Sequence, residues 1–338
     1  MSFLRFMIVG CGGYAGYHAR RLSEHPESLL VACVDVSPSV VQAFLGKHVP
    51  NLSPAPAIET DLAAALARHR VEAVVIATPH KHHAEHAATA LAAGCHVFIE
   101  KPMAIALDEA RNLAALARQS RRVVSIGYNP VCTPEFAYLR QVIRHPHSPI
   151  GLGKLEVATG HLSQNWLHWT TGQWRQDPAV SGGGVVVDTG AHMLAALSWA
   201  ADSPVVEVFA AVDRLNSRVD INSALVLRFE SGLIATVTIA GNCPSESSRL
   251  SFFFAGGRID IDGWYGNWIE VHNAYGRVKY PKIDADQHGQ TPLEHFIEVI
   301  QGRQSPRVTV DDGVAQAELL EMIRESISTG QPARRRKA

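Results

Sequence analysis

The chain has 338 residues, 46% hydrophobic and 19% charged, with a net charge of −1. That balance suits a globular protein with ample core residues, and it gives no basic excess that would favour nucleic acid. No run approaches the roughly 18 uninterrupted apolar residues of a membrane span, so neither a membrane nor a nucleic acid is expected as a partner. From the N-terminus, short apolar runs alternate with amphipathic stretches. Strands are expected at 5–10, 29–35, 72–77, 96–99 and 122–127, and helices near 14–24, 38–46, 61–69, 83–93 and 107–119. Runs such as Ala73-Val74-Val75-Ile76-Ala77 lack polar alternation, as parallel strands covered on both faces do. Asp61 ahead of Leu62 reads as a helix N-cap. Residues 1–127 are therefore expected to form an α/β domain, a doubly wound parallel sheet.

Beyond Gly127 the pattern changes. Residues 128–203 mix helical stretches with a strand near 153–162 and a loop rich in Trp and polar residues. Strands follow at 204–213, 221–230, 233–241, 249–255, 257–262 and 267–273, separated by hairpin-like breaks at Glu230-Ser231-Gly232 and Ala255-Gly256-Gly257. This implies a mostly antiparallel sheet. Helices near 292–301 and 312–329 end beside Gly302 and Gly330, where C-caps belong. The expected second domain spans 128–330, and the basic end, 331–338, is expected to be a frayed tail.

The turn after the first strand reads Gly10-Cys11-Gly12-Gly13-Tyr14-Ala15, the G-x-G-x-x-G/A pattern of a dinucleotide site. Gly10 allows a tight turn, Gly12 leaves room for a pyrophosphate, and the helix N-terminus favours its charge. Asp35 ends the second strand, where a carboxylate accepts hydrogen bonds from the adenosine ribose and repels a 2′-phosphate. No arginine follows in Val36-Ser37-Pro38, so NAD is favoured over NADP. The alternatives are a ligand-free turn and an Asp that merely caps it. Expected cofactor contacts are Gly10, Gly12, Gly13, Tyr14, Ala15, Asp35 and Val36, with Thr78, Pro79, His83, Glu100, Lys101 and Asn129 further along the chain.

Three later segments carry chemistry. Thr78-Pro79 follows the third strand, at the carboxyl edge where ligands bind in such sheets, with His83 in the helix start beyond. His82 and His86 have helical i, i+4 spacing, but no third ligand is evident and no metal is expected. Glu100-Lys101-Pro102 follows the fourth strand. Lys101 there can polarise a substrate oxygen and favour a developing alkoxide, although a surface Glu–Lys pair would look the same. The Lys101–Pro102 bond is a candidate for cis. In Ser181-Gly182-Gly183-Gly184 the glycines permit close approach to a ligand. If helix covers 188–200, Asp188 and His192 share a face. His192 is suited to taking a hydroxyl proton near neutral pH, with Asp188 orienting it. A helix-start Asp beside a structural His is the alternative.

Together with Ala93-Gly94-x-His96-Val97 and Trp174-Arg175, these segments run nearly the length of the chain. Their order resembles the glucose–fructose oxidoreductase/inositol dehydrogenase/rhizopine catabolism (Gfo/Idh/MocA) family. The resemblance implies an N-terminal Rossmann domain and a C-terminal α+β domain with a large open, mostly antiparallel sheet that serves substrate binding and oligomerisation. It puts Lys101, Asp188 and His192 at the family's catalytic Lys-Asp-His positions. Where many members carry arginines after Gly127-Tyr128-Asn129, this chain has Pro130-Val131. Asn129 is expected beside the cofactor.

The resulting expectation is an NAD-dependent oxidoreductase acting on a CH–OH group of a sugar-like substrate or polyol. Lys101, Asn165, Trp174, Arg175, Asp188 and His192 are expected to bind the substrate, and His161, Gln164, Trp166 and His168 could shape its pocket. Rival readings are an enzyme that retains and recycles its NAD, or a nucleotide-sensing module without turnover. The five cysteines are scattered and odd in number, which suggests reduced thiols and a cytoplasmic location. Along 233–239, Leu233, Ala235, Val237 and Ile239 alternate with Ile234, Thr236 and Thr238. The second set makes a charge-poor open face, expected to pair copies of the chain into a homodimer or homotetramer.

Overall fold

The computed structural model describes residues 3–279, 281 and 290–336. The chain divides into two compact units, Met1–Gly127 with Leu293–Val314, and Tyr128–Pro292 with Ala315–Ala338. In the first, six strands form one sheet: β1 (Leu4–Val9), β2 (Ser28–Val34), β3 (Ala57–Glu59), β4 (Ala73–Ile76), β5 (His96–Ile99) and β6 (Val124–Ile126). Their order is β3-β2-β1-β4-β5-β6 and every pairing is parallel. This is the doubly wound order, whose reversal beside β1 puts a crevice at the carboxyl ends of the strands. The connecting helices are α1 (Ala15–Glu24), α2 (Pro38–His48), α3 (Leu62–Arg68), α4 (His83–Ala92) and α5 (Leu107–Ser120). The Asp61 carboxylate caps α3 by accepting from Ala64 N at 2.7 Å. β3, three residues at the sheet edge, has too little pattern to be legible in the sequence.

The second unit is built on a nine-stranded sheet: β7 (Leu155–Ser163), β8 (Val205–Asp213), β9 (Asn222–Phe229), β10 (Ile234–Ala240), β11 (Ser247–Phe254), β12 (Gly257–Ile261), β13 (Ile269–Asn273), β14 (Gly276–Lys279) and β15 (Ala333–Arg334). The order is β14-β13-β12-β11-β7-β10-β9-β8-β15, antiparallel except between β7 and β10. The helices of this unit include α6 (Pro134–Arg144), the single turns α7 (Trp166–Trp169) and α8 (Pro178–Ser181), and α9 (Gly190–Ala201). Leu225, Leu227, Ala235, Val237, Leu250 and Phe252 face one way and join Met193, Leu194 and Leu197 of α9 in a single core. The other face stays open. Phe209, Val226 and Thr236 align across three strands, beside Ile234 and Val157. Phe209, Val226, Ile234 and Val157 are all solvent-exposed.

The closing helices, α10 (Pro292–Ile300) and α11 (Val310–Thr329), correct two expectations. Leu293, Phe296 and Ile297 of α10 lie in the core of the first unit, with the Phe296 ring 5.8 Å from Phe98 and 6.5 Å from Phe6. An apolar i, i+3, i+4 stripe says that a helix is covered, not which sheet covers it, so the continuous block 128–330 is interrupted. The basic end does not fray either. Ala333–Arg334 pairs with β8, and Arg334 and Arg335 each meet a carboxylate at 2.7 Å, on Glu207 and Glu318. Lys337 lies outside the described residues.

His295 of α10 holds the loop that follows. Its Nε2 accepts from Arg307 N at 3.1 Å, and Nδ1 meets Gln304 Oε1 at 3.0 Å. These partners demand a neutral ring, and burial lowers its pKa, as it does for His83, His86 and His96. A histidine lowered on folding stabilises fully above its unfolded pKa of about 6.5 and loses that contribution as pH falls through the folded value. Calorimetry should find Tm level from pH 8 to 7 and falling between about pH 6.5 and 5, above the range where carboxylates protonate. His295→Gln should flatten that slope.

Candidate active site

Backbone geometry makes the glycine turn a cradle. Gly10 has φ of +87°, and a Cβ there would lie 2.7–2.8 Å from the backbone of Ala77 and Thr78. Gly12 and Gly13 are different: a Cβ on either would meet nothing within 4 Å. The space over them is open, as a pyrophosphate at the start of α1 requires. Asp35 closes the turn from the side, accepting from Cys11 N at 2.7 Å through Oδ2 and from Val36 N at 2.8 Å through Oδ1. Each carboxylate oxygen has a second lone pair, so capping the turn does not exclude receiving ribose hydroxyls. Tyr14 is exposed beside the turn, and Val36 is 92% exposed. Ala15 is instead buried in the core under α1. Gly16 gives room to the His48 ring of α2.

Two other expected cofactor contacts, His83 and Glu100, are tied into the fold. His83 is buried, with Nε2 2.8 Å from Thr78 O and Nδ1 2.7 Å from Pro102 O. It ties together the loops after β4 and β5. Glu100 is also buried; its Oε1 lies 2.7 Å from His18 Nε2, and Oε2 accepts from Lys101 N at 3.3 Å. A Cβ on Gly127 would come within 2.9 Å of that carboxylate, so its place is packed as well as bonded. Lys101 follows β5 half-buried, and the Lys101–Pro102 bond is cis. Thr78 and Pro79 lie half-buried at the carboxyl end of β4. Thr78 Oγ1 is 3.3 Å from His86 Nδ1, and the His82 and His86 rings stack at 5.7 Å.

In the second unit, α9 begins at Gly190, so Asp188 stands in the turn before the helix and His192 in its first turn. The expected helical pairing of the two is therefore replaced by a turn-to-helix step. Asp188 is nearly buried. Its Oδ2 accepts from the Trp166 indole at 2.9 Å and from Arg175 Nε at 3.1 Å. The Arg175 guanidinium also lies 4.5 Å from the Trp174 ring centre, a cation–π arrangement. Trp166 itself belongs to the core, so its indole positions Asp188 and offers no open face. Asn165 caps α7 through its carbonyl, which Trp169 N reaches at 3.1 Å. His161 is exposed on the open face of the sheet, in register with Thr238 and Arg249, and His168 is exposed too. Asn129 lies in the same unit and opens a single 3-10 turn over Pro130–Cys132, which is buried.

In the glycine run before Asp188, Gly184 packs against Asp220. Gly184 N and Val186 N donate to the two oxygens of Asp220 at 2.7 and 2.9 Å, and Val185 N reaches Asp220 O at 3.0 Å. A Cβ on Gly184 would sit 2.0 Å from Asp220 O. Burial raises the Asp220 pKa, and the Val186 and Gly184 N–H groups oppose that rise. Asp220 escaped the sequence reading because a lone Asp before a strand carries no motif.

Asp260, Glu270 and His272 cluster on β12 and β13. Their resident cation is Arg258, 3.0 Å from Asp260 Oδ2 and 3.4 Å from His272 Nε2. Among the described residues this is an ion-pair network. A cavity of about 630 Å³ near Tyr138, Ile150 and Tyr275 holds none of the predicted site residues.

Comparison with known proteins decides the family. Residues 4–128 match the model of the Gfo/Idh/MocA oxidoreductase family, NAD-binding Rossmann fold, and residues 150–264 match the family's C-terminal domain. The chain belongs to this family. The first unit is its NAD-binding Rossmann domain, and NAD is the cofactor. A 1-carboxy-3-chloro-3,4-dihydroxycyclohexa-1,5-diene dehydrogenase of Comamonas testosteroni is 29% identical over 65% of this chain and 54% of its own length. D-glucoside 3-dehydrogenase of Escherichia coli is 30% identical over 61% of this chain and 56% of its own. The chain thus matches about half the length of each. GenD2 from gentamicin A biosynthesis, solved with NAD, shares the fold at a TM-score of 0.81 and 24% identity, covering 100% of this chain and 97% of its own. Among the described residues, no helix is long and apolar enough to cross a membrane.

Loss of the Asp220 clamp should be felt as stability. Asp220→Ala leaves the buried N–H groups of Gly184 and Val186 without their carboxylate acceptors and should cost about 3 kcal/mol. Gly184→Ala should cost at least as much, since backbone cannot move aside. Urea unfolding checks both, against Gly46→Ala in α2, where a Cβ would meet nothing within 4 Å and φ is not positive.

Proposed function

We propose that the protein is an NAD-dependent dehydrogenase that interconverts a secondary hydroxyl and a carbonyl on a sugar-like substrate or polyol. The carrying observation is the placement of Asp188 beside the helix that presents His192: a buried carboxylate held by Trp166 and Arg175, followed by an imidazole in the first turn of α9. His192 takes the hydroxyl proton in the oxidative direction, and Asp188 orients it or a neighbouring hydroxyl. Lys101 donates to the reacting oxygen and favours the alkoxide. Bound NAD supplies the hydride acceptor. Trp174, Arg175 and Asn165 are assigned to substrate hydroxyls and the apolar sugar face. Asn129 is assigned to the cofactor side. Relatives that include a glucoside dehydrogenase support this substrate class.

Asp35 carries the preference for NAD over NADP, because a 2′-phosphate would meet its carboxylate. The five free cysteines, four of them buried, suit a reducing cytoplasm. The open sheet face is assigned to a second copy of the chain. Phe209, Val226 and Ile234 are exposed there between hydroxyl-bearing neighbours, and a self-complementary face closes by two-fold pairing.

A screen of polyols, aldoses and sugar acids should give NAD reduction at least about tenfold better than NADP reduction, equivalent to about 1.4 kcal/mol. In that assay His192→Ala should lower kcat by about 10²- to 10⁴-fold with NAD affinity nearly unchanged. Full activity in that variant would remove the proton role, and equal use of both cofactors would remove that of Asp35.

Light scattering at micromolar concentration should show at least a dimer. Val226→Lys combined with Ile234→Lys should reduce it to the monomer mass. A monomeric parent protein would mean that the open face serves no second copy.

A further inference from the structure

We propose that His18 is a positioning residue for Lys101, acting through Glu100, an assignment that rests on the dehydrogenase reading above. α1 buries one stripe, Ala15, His18, Ala19 and Leu22, against the sheet. A histidine on such a stripe is costly, because packing alone would be served by Phe or Leu and burying a polar ring needs a partner. That partner is Glu100: Nε2 lies 2.7 Å from Oε1, with His18 3% and Glu100 7% exposed. With Glu100 ionised, the carboxylate only accepts, so Nε2 carries the proton. The Phe98 ring of β5 packs on the imidazole at 5.2 Å and 65°, and Tyr14 does so at 5.4 Å and 80°. Nδ1 makes no hydrogen bond among the described residues, so the contact with Glu100 is the ring's only polar anchor there.

The other oxygen of Glu100 takes the Lys101 N–H at 3.3 Å. One carboxylate thus joins the first turns of the helix that opens the cofactor cradle to the backbone that carries the reactive lysine. Gly127 closes the remaining side, since a Cβ there would press on the same carboxylate. Without the His18 donor, Glu100 loses its 2.7 Å contact with α1, and the Lys101 backbone that it anchors can shift. A misplacement near 1 Å at a reacting group costs about 10²-fold in rate.

The test uses His18→Phe, which fills the space without a donor, and His18→Gln, whose amide nitrogen can replace Nε2. His18→Phe should lower kcat about 10- to 100-fold, with NAD affinity within about threefold of the parent, and His18→Gln should recover most of the loss. In the Lys101→Ala background, His18→Phe should add less than about a twofold loss, because both changes remove one function. Multiplicative losses, equal loss in the Gln variant or unchanged kcat would overturn the proposal. Hydrogen exchange of the Lys101 amide gives a readout independent of turnover: His18→Phe should accelerate it while leaving Val75 of β4 unchanged. If the parent binds NAD but oxidises no hydroxyl while exchange at Lys101 responds, the dehydrogenase reading fails and the His18–Glu100–Lys101 link stands. If turnover is present and exchange does not respond, the link itself is wrong.

Discussion

A buried carboxylate must find hydrogen-bond donors, and the sites of both units are organised around meeting that demand. Asp220 draws the N–H groups of Gly184 and Val186 onto its two oxygens. The turn that results leads directly into Asp188 and the start of α9. Asp188 repeats the pattern with the Trp166 indole and Arg175. In the first unit, Glu100 collects His18 and the Lys101 amide. Each carboxylate is expensive to bury and each is anchored by donors on other elements, so each pins together segments far apart in sequence. Groups held this way keep one geometry without relying on exposed, entropically costly side-chain pairs.

The same economy explains the glycines. Gly10 and Gly184 are both required by backbone contacts, at Ala77–Thr78 and at Asp220. Gly12 and Gly13 meet no protein atom in their place, which leaves open the space that the pyrophosphate of NAD takes in a Rossmann turn. Glycine-rich segments in one chain therefore divide into those that admit another part of the fold and those that admit something from outside. Sequence spacing does not separate the two classes; surrounding atoms do.

Much of the fold was legible in the sequence because hydrophobic period is a local property. The unalternated runs Phe6–Val9 and Ala73–Ile76 became parallel strands, and alternation along Leu233–Ile239 became the two faces of β10. Asp61 capped its helix, and Gly302 and Gly330 took positive φ at helix ends. Glycine turn, strand-end Asp35 and Lys101 after β5 were likewise visible as residue types in order along the chain.

Tertiary structure alone decided which partner each group received. The sequence placed His83 and Glu100 at the crevice edge, but burial gave both to the protein's own backbone and side chains. Trp166 became a core residue with one useful N–H, and His161 turned to the open sheet face. His18 and Asp220 carry no motif because their partners lie 82 and 34–36 residues away. α10 returned to the first sheet, and Ala333–Arg334 joined the edge of the second. What the sequence by itself determined was where elements run, which faces are apolar and which chemistry-bearing residues end a strand. Long-range hydrogen bonding and packing determined what those residues touch, since satisfying a buried polar group is a condition on the folded whole and leaves no period in the chain.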